Sequence, residues 1–489
     1  MKNLRGYIVI QALVFGGIGV LLIGALAGWA KVSIVGARQL TDRERAFQIA
    51  EAGIEYYRWH LAHAATDYQD GTGGSGPYLH DYEDKNGEVV GSFTLTITPP
   101  PIGSTVVTVL SEGRVLSNPA AVRKIEAKLA IPSIAKYAFV ANSVMRFGSG
   151  TEVFGPIHSN DGIRFDGLVH NLVTSAKSDY DDPDHTGNNE FAVHTHVTAP
   201  PGSGVNDSFR SQEAPPTSPV PTRNDVFLAG RQFPVPAVDF VGFTNDMATM
   251  KTDAQTGGFY RGASGGNGYR VVLRTDDTFD LYRVNSLRNP PSGCSASSQT
   301  GWGTWSIGTS GSSQTNLGRQ SLPANGLIFL EDHVWVEGQI DSARVTIASA
   351  RFPENPSTYT SITVNEDLKY TNYDGQDVLA LIAQNNINIG LFSDNNLQID
   401  AALVAKNGRV GRYYYESDCR LSGTNWYIRS TITLFGMIGT NLRYGFAYTD
   451  GTGYQTRNIN YDANLLYGPP PSFPLTSDQY STISWREVP

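Results

Sequence analysis

Residues 7–30, YIVIQALVFGGIGVLLIGALAGWA, run for 24 positions without a formal charge before Lys31. As a helix, this stretch spans roughly 36 Å at about 1.5 Å per residue, against a bilayer core of about 30 Å. Lys2 and Arg5 precede it, which favours a cytoplasmic start. A secretory signal has a shorter apolar region, about 7–15 residues, followed by a small-residue cleavage site. Here the helical pattern continues straight through the end of the apolar run, so the segment reads as a retained membrane anchor. Beyond Lys31, Ala46, Ile49, Ala50, Gly53, Ile54, Tyr57 and Leu61 recur at steps of three and four, with Arg43, Glu44, Glu51, Glu55 and Arg58 on the other faces. This is an amphipathic helix continuous with the span, roughly 90 Å long if unbroken to about residue 66. Gly24 and Gly28 stand at GxxxG spacing, which lets a neighbouring helix approach closely in lipid. The plainer alternative is a single-pass anchor with ordinary membrane glycines.

The chain has 489 residues, enough for two or more globular units. Its 37 basic and 46 acidic residues leave a net charge of −9, which argues against nucleic acid as the main partner. With only two cysteines, a disulfide-rich scaffold and a multi-cysteine zinc site are both excluded.

The basic leader MKNLRG, the aromatic residue after Gly6, the apolar span and the run AFQIAEAGIEYYRWHL together resemble the N-terminus of type IV pilin-like proteins. The motif A-x-x-x-A-E-A-G is particularly similar to that of PilX/PulK-type minor pilins. The resemblance covers residues 1–66. It implies cleavage by a prepilin peptidase after Gly6, leaving Tyr7 as the mature end, and assembly with other pilin-like subunits through the helix. Major pilins carry Glu at the fifth mature position, where it meets a neighbour's amino terminus; this chain has Gln11 there. Gln can donate and accept hydrogen bonds but cannot form that ion pair, so a minor, tip or initiating subunit is expected rather than the bulk one.

After a Gly-rich break at 68–79, the stretches 91–101, 104–115 and 122–131 alternate polar and apolar residues and read as three antiparallel strands covering the helix stripe. From about residue 136 a weak repeat appears in FVANSVMRF, IHSNDGIRF, IAQNNINI, FSDNNLQI and VAKNGRV: an apolar start, two or three polar residues rich in Asn and Asp, then apolar-x-apolar. Short strands separated by Asn, Asp and Gly turns predict rungs of a β-solenoid, with a β-sandwich as the alternative. GPIHSNDGIRFDG and LIAQNNINI also resemble bacterial pilin-associated β-helical domains, which implies a right-handed β-helix-like body. The expected organisation is a leader at 1–6, the helix at 7–66, a small antiparallel β subdomain at 67–135, and a β-helix-like domain at 136–445. A Pro-rich surface excursion at 198–239 interrupts that last domain, and an irregular strap follows at 446–489. The fold class is therefore mainly β with one long N-terminal helix.

Residues 179–196, DYDDPDHTGNNEFAVHTH, form the densest polar constellation. Oxygen-rich Asp and Asn loops suit calcium, while His194-x-His196 on one strand face offers two nitrogens to zinc or copper. Asp181, Asp184, His194 and His196 are the candidate ligands and calcium the candidate cofactor; a solvated acidic loop without metal is the alternative. No nucleophile elbow, phosphate loop or HExxH motif occurs. Glu337, Glu366, Asp367 and Asp394 are among the carboxylates that a glycan-cleaving β-helical enzyme would use, but nothing in the sequence pairs any two. Cys294 and Cys419 lie in polar, turn-like stretches, and the anchor's orientation puts both outside the cytoplasm, where lone pairs oxidise to a disulfide more often than not.

These features converge on a non-enzymatic, membrane-anchored, minor-pilin-like protein. It would belong to a type IV pilus or type II secretion-like assembly, acting in filament initiation, tip display or adhesion to a surface glycan or protein. Its expected place is the cell envelope, with a single-pass inner-membrane anchor, an extracytoplasmic domain and display on a surface filament. The alternative is a surface-tethered β-helical glycan-active enzyme.

Overall fold

The computed structural model describes all residues except 1–3, 102–103, 241–242, 296–298 and 477–478. The Lys2 side of the expected leader therefore lies outside the described residues. The chain forms two compact units: Met1–Pro99, Val106–Ala130 and Gln479–Pro489, and Pro100–Thr105 with Ile131–Asp478.

In the first unit, helix α1 (Leu4–His63) runs without interruption. Its second half buries Ala46, Ile49, Ala50, Ile54, Tyr57 and Leu61, the stripe read from the sequence. The stripe lies on an antiparallel sheet of β1 (Tyr78–Glu83), β2 (Val89–Thr98), β3 (Val107–Val115) and β4 (Asn118–Ala130), completed by the C-terminal strand Ser481–Val488 against β4. The sequence pattern identified three of these five strands. Small residues set the distance between helix and sheet. A Cβ on Gly53 would collide with Ser111 and Phe93, and one on Gly113 would collide with the backbone of Ala46 and Ala50. The Ala and Gly positions of the AEAG motif thus let the helix backbone approach β3, and Tyr57 anchors the far end by donating to the carbonyl of Asp67 at 3.0 Å.

The second unit is built on one large, mostly parallel sheet. One ladder runs through Phe259–Arg261, Leu327–Leu330, Arg344–Ser349, Val378–Ala383, the end of Asn396–Ala405 and the end of Ile428–Thr440. It then passes to Phe139–Ala141, Ile157–Ser159, Val173–Ser175 and Arg231–Gln232. Other parallel ladders stack the remaining segments of the same rungs, such as Val334–Ile340 on Ile362–Thr363, Ile387–Ile389 and Val410–Arg412. Parallel stacking of successive short strands is the solenoid arrangement, not a sandwich.

The rungs do not stack in chain order. Phe139 pairs with Ile438 and Ala141 with Thr440, so a strand near the end of the unit lies on its first strand. From there the chain winds out to Arg231–Gln232, then re-enters the ladder at Phe259–Arg261 and winds back. Both faces of the main ladder are buried, which is why its strands read as unbroken apolar runs. In VLALIA, Leu379, Leu381 and Ala383 point into the solenoid core, while Val378, Ala380 and Ile382 join an outer cluster. That outer cluster is covered by Met247, Met250 and Ala254 of helix α2 (Phe243–Gly257), with Ile134 and Phe473. The side-chain amides of the polar repeat also stack. Asn160 donates to Asn142 (2.9 Å), Asn142 to Asn441 (2.9 Å), Asn441 to the Asn407 carbonyl (3.0 Å) and Asn407 to the Gln384 carbonyl (2.8 Å).

Two stretches differ from the sequence reading. The segment 446–489 is not an irregular strap, since Gly453–Tyr461 extends the parallel sheet and Ser481–Val488 the antiparallel one. Four of its five prolines lie in the connection between them. The excursion at 198–239 is more than a surface strap: Val226 and Phe227 enter the core, and buried Arg231 pairs with buried Glu213 at 2.6 Å.

Candidate functional site

The first half of α1 carries the features expected of an assembly helix. From Tyr7 onward it is long and apolar enough to cross a membrane, and that stretch is not buried within the chain. Tyr7, Gln11, Gly24 and Gly28 are all exposed, and a Cβ added at either glycine would meet nothing within 4 Å. Gly6 lies within the same helix.

The polar constellation folds into a loop and two short strands. Asp179–Tyr180 pairs with Glu190–Phe191, and Val193–His194 lies parallel to Ile163–Phe165. Residues of one parity in an extended chain face the same side, so Glu190, His194 and His196 point together while Val193 enters the core. The turn between the strands returns Asp182 and His185 to the same spot. The Nε2 atoms of His185, His194 and His196 lie 3.0, 3.1 and 3.2 Å from Oε2 of Glu190. Asp182 Oδ2 lies 3.6 Å from His185 Nε2 and 3.5 Å from His194 Nε2. One ligand atom from each of Asp182, His185, Glu190 and His196 falls within 4.8 Å of all the others. Burial alone would raise the Asp182 carboxyl, yet the nearby His194 ring, the Asp184 backbone N–H and the charge of Arg164 hold it down at about 2.

Of the four ligands expected from sequence, His194 and His196 are in this cluster and Asp181 and Asp184 are not. Asp181 is exposed, and Asp184 forms a two-pronged pair with Arg443 at 2.9–3.0 Å. Asp182, His185 and Glu190 take part instead. Parity with His194 was a readable signal for Glu190; nothing local distinguishes Asp182 from its acidic neighbours, because the turn decides which one points inward.

A second carboxylate group lies on another part of the solenoid. Glu337 and Glu366 line a cavity of about 260 Å³ with Arg270, Arg288 and Trp335. The Glu366 carboxyl lies near enough to bear on that of Glu337. Burial, then the contact with Glu366, pushes Glu337 up to about 7. Cys294 and Cys419 form a disulfide with their Cα atoms 4.3 Å apart, inside an aromatic cluster containing Tyr413, Tyr415 and Tyr427. Those tyrosines are therefore packing residues. Arg412, fully buried beneath them, donates to Ser393 (2.9 Å) and to the carbonyls of Leu391 (3.1 Å) and Trp426 (2.7 Å).

No family model and no curated protein matches the chain. Among solved structures, the chain is similar to the crystal structure of the competence-associated pilin ComZ from Thermus thermophilus, with 13% sequence identity, 92% of this chain and 98% of that chain covered, and a TM-score of 0.29.

Proposed function

We propose that this chain is a minor-pilin-like subunit, anchored in the inner membrane by residues 7–30 and carrying a right-handed β-helix-like body outside it. The observation that carries this reading is the division of labour along α1. Its first half is apolar and exposed along its length, while its second half is amphipathic and buried against its own sheet. A helix of that kind has no partner for its first half except lipid or the helices of other subunits. The leader before Tyr7 fits processing by a prepilin peptidase. Gln11, in place of the usual carboxylate, fits a low-copy subunit that initiates or tips a pilus or secretion pseudopilus, with the solenoid displayed for adhesion to a surface glycan or protein.

Processing tests the reading directly. Mass spectrometry of the protein from the membrane fraction should find an N-terminus at Tyr7, and replacing Gly6 with a bulky residue should leave the leader in place. A product that keeps Met1, or one cut after residue 30, would overturn the proposal. Quantitative proteomics of sheared filaments should find this chain far below the main subunit; equal abundance would remove the minor role.

A further inference from the structure

We infer that Asp182, His185, Glu190, His194 and His196 form a buried binding site for a divalent transition-metal ion of the zinc class, which fastens the 179–196 loop to the solenoid wall. Among the described residues, no other group of His, Cys, Asp and Glu side chains brings its ligand atoms together in this way.

The first argument is the direction of the imidazoles. His185 Nδ1 faces the Thr186 carbonyl at 3.3 Å, His194 Nδ1 the Phe191 carbonyl at 3.1 Å, and His196 Nδ1 the Asn206 carbonyl at 2.6 Å. A carbonyl only accepts, so each Nδ1 carries its proton, and in its neutral form each ring turns an Nε2 lone pair into the cluster. A backbone carbonyl on the far nitrogen is the usual support of a metal-bound histidine. With the rings neutral, three lone pairs are aimed at two carboxylates, and a cation between them turns that repulsion into coordination.

Spacing is the second argument. A tetrahedral ion with bonds of about 2.0–2.2 Å holds its ligand atoms roughly 3.3–3.6 Å apart. The distances from the imidazole nitrogens to the facing carboxylate oxygens run from 3.0 Å to 3.6 Å.

Two atoms at the centre, His194 Nε2 and Asp182 Oδ2, are buried and lack a hydrogen-bond partner, although His194 and Asp182 are almost wholly enclosed. Buried polar atoms in a folded protein are nearly always satisfied, so this pair points to a missing ligand. The charge also balances. Arg164, the nearest fixed cation, is shared among Asp166 at 2.7 Å, Asp207 and, at 3.7 Å, Asp182, so its single charge does not balance Asp182 and Glu190 together, and a divalent ion would. Imidazole-rich donors select zinc, copper, nickel or cobalt, whereas calcium takes oxygen ligands. The enclosure and the full complement of side chains match a closed structural site rather than a catalytic one with an open position.

The test uses the full-length protein in detergent, stripped with chelator and titrated with zinc, cobalt or calcium. A single equivalent of zinc should bind, and cobalt should give the intense visible bands of a low-symmetry, four- or five-coordinate site. Calcium should not compete. His185→Ala combined with His196→Ala should weaken binding by more than the roughly 10–100-fold lost with a supporting hydrogen bond, whereas Asp181→Asn on the exposed side of the loop should leave it unchanged. X-ray absorption of the zinc-loaded wild-type chain should show imidazole scattering, and this readout decides the matter even if the double variant does not fold. The proposal fails if the folded apo protein takes up neither zinc nor cobalt at micromolar concentration, if it binds calcium in preference, if the folded double variant binds as tightly as wild type, or if absorption shows no imidazole. The N-terminal processing experiment is independent of all these outcomes.

Discussion

The side-chain amide of Asn142 donates to Asn441 at 2.9 Å, joining residues 299 positions apart in the chain. The bond bridges the first rung and a rung near the end of the unit, which pair directly through Val140 and Gly439. The amide stack continues on both sides of this junction, so the break in chain order leaves no break in the ladder. Folding of this unit therefore waits for a strand near its end, because until Ile428–Thr440 arrives the first rung has an open edge. Contacts of such sequence separation carry a loop-closure cost before they yield any stability.

Asn441 both accepts from Asn142 and donates to Asn407, so Asn441→Ala should cost about 1–2 kcal/mol. In a double-mutant cycle, Asn142→Ala and Asn441→Ala should couple by about 0.5 kcal/mol or more, because they remove the same bond. Urea unfolding followed by circular dichroism checks both values. Additive effects would show that the amide stack carries no energy across the junction.

The contact of α1 with its sheet makes a sharper expectation. At Gly113 any Cβ meets helix backbone, which cannot rotate away, whereas at Gly53 it meets the Ser111 and Phe93 side chains, which can shift. Gly113→Ala should therefore destabilise the first unit by about 2–4 kcal/mol, and Gly53→Ala by less. Thermal melts of the two variants in detergent should rank in that order. A reversed ranking would mean that the helix moves off β3 more easily than Phe93 moves aside.

What could be read in advance followed from local periodicity. The stripe from Ala46 to Leu61 has a helical period, and β2 to β4 alternate, so both are visible in a short window. Ser481–Val488 was hidden because it is mostly exposed and follows a Pro-rich connection, giving no clear alternation. The Asn-rich repeat marked rungs but not their order, since nothing near Asn142 states that its neighbour is Asn441. The polar cluster was half legible for a similar reason. Strand parity places His194 and His196 on one side, whereas the choice of Asp182 over Asp181 and Asp184 depends on how the turn folds back.

Reduction of the Cys294–Cys419 bond offers a measurement on a single covalent link. The two residues are 125 positions apart, and closing a loop of that size restricts the unfolded chain by about 4–5 kcal/mol in the entropy model. Both cysteines are buried in the aromatic cluster, so the native protein should resist reduction until it opens. Adding reductant should lower the urea midpoint of the second unit and leave that of the first unchanged. Equal midpoints with and without reductant, after alkylation has proved both thiols free, would contradict this.

Glu337 makes stability depend on pH in a defined direction. Burial, and then the contact with Glu366, raises its carboxyl from 4.5 to about 7, against the opposing pull of Arg270. The folded chain therefore holds a proton that the unfolded chain releases at lower pH. This group is neutral to stability below about 4.5, and its penalty grows as pH rises from there to about 7 and then levels off. With the side chain only 14% exposed, the loss is on the order of 2–3 kcal/mol across that window. Glu337→Gln keeps the shape but has no proton to release. The variant should be more stable than wild type at pH 8 and should lack the decline between pH 5 and pH 7. Urea midpoints measured at pH 5, 6, 7 and 8 for both proteins separate the cases: parallel curves would show that Glu337 ionises in the folded chain as freely as in the unfolded one.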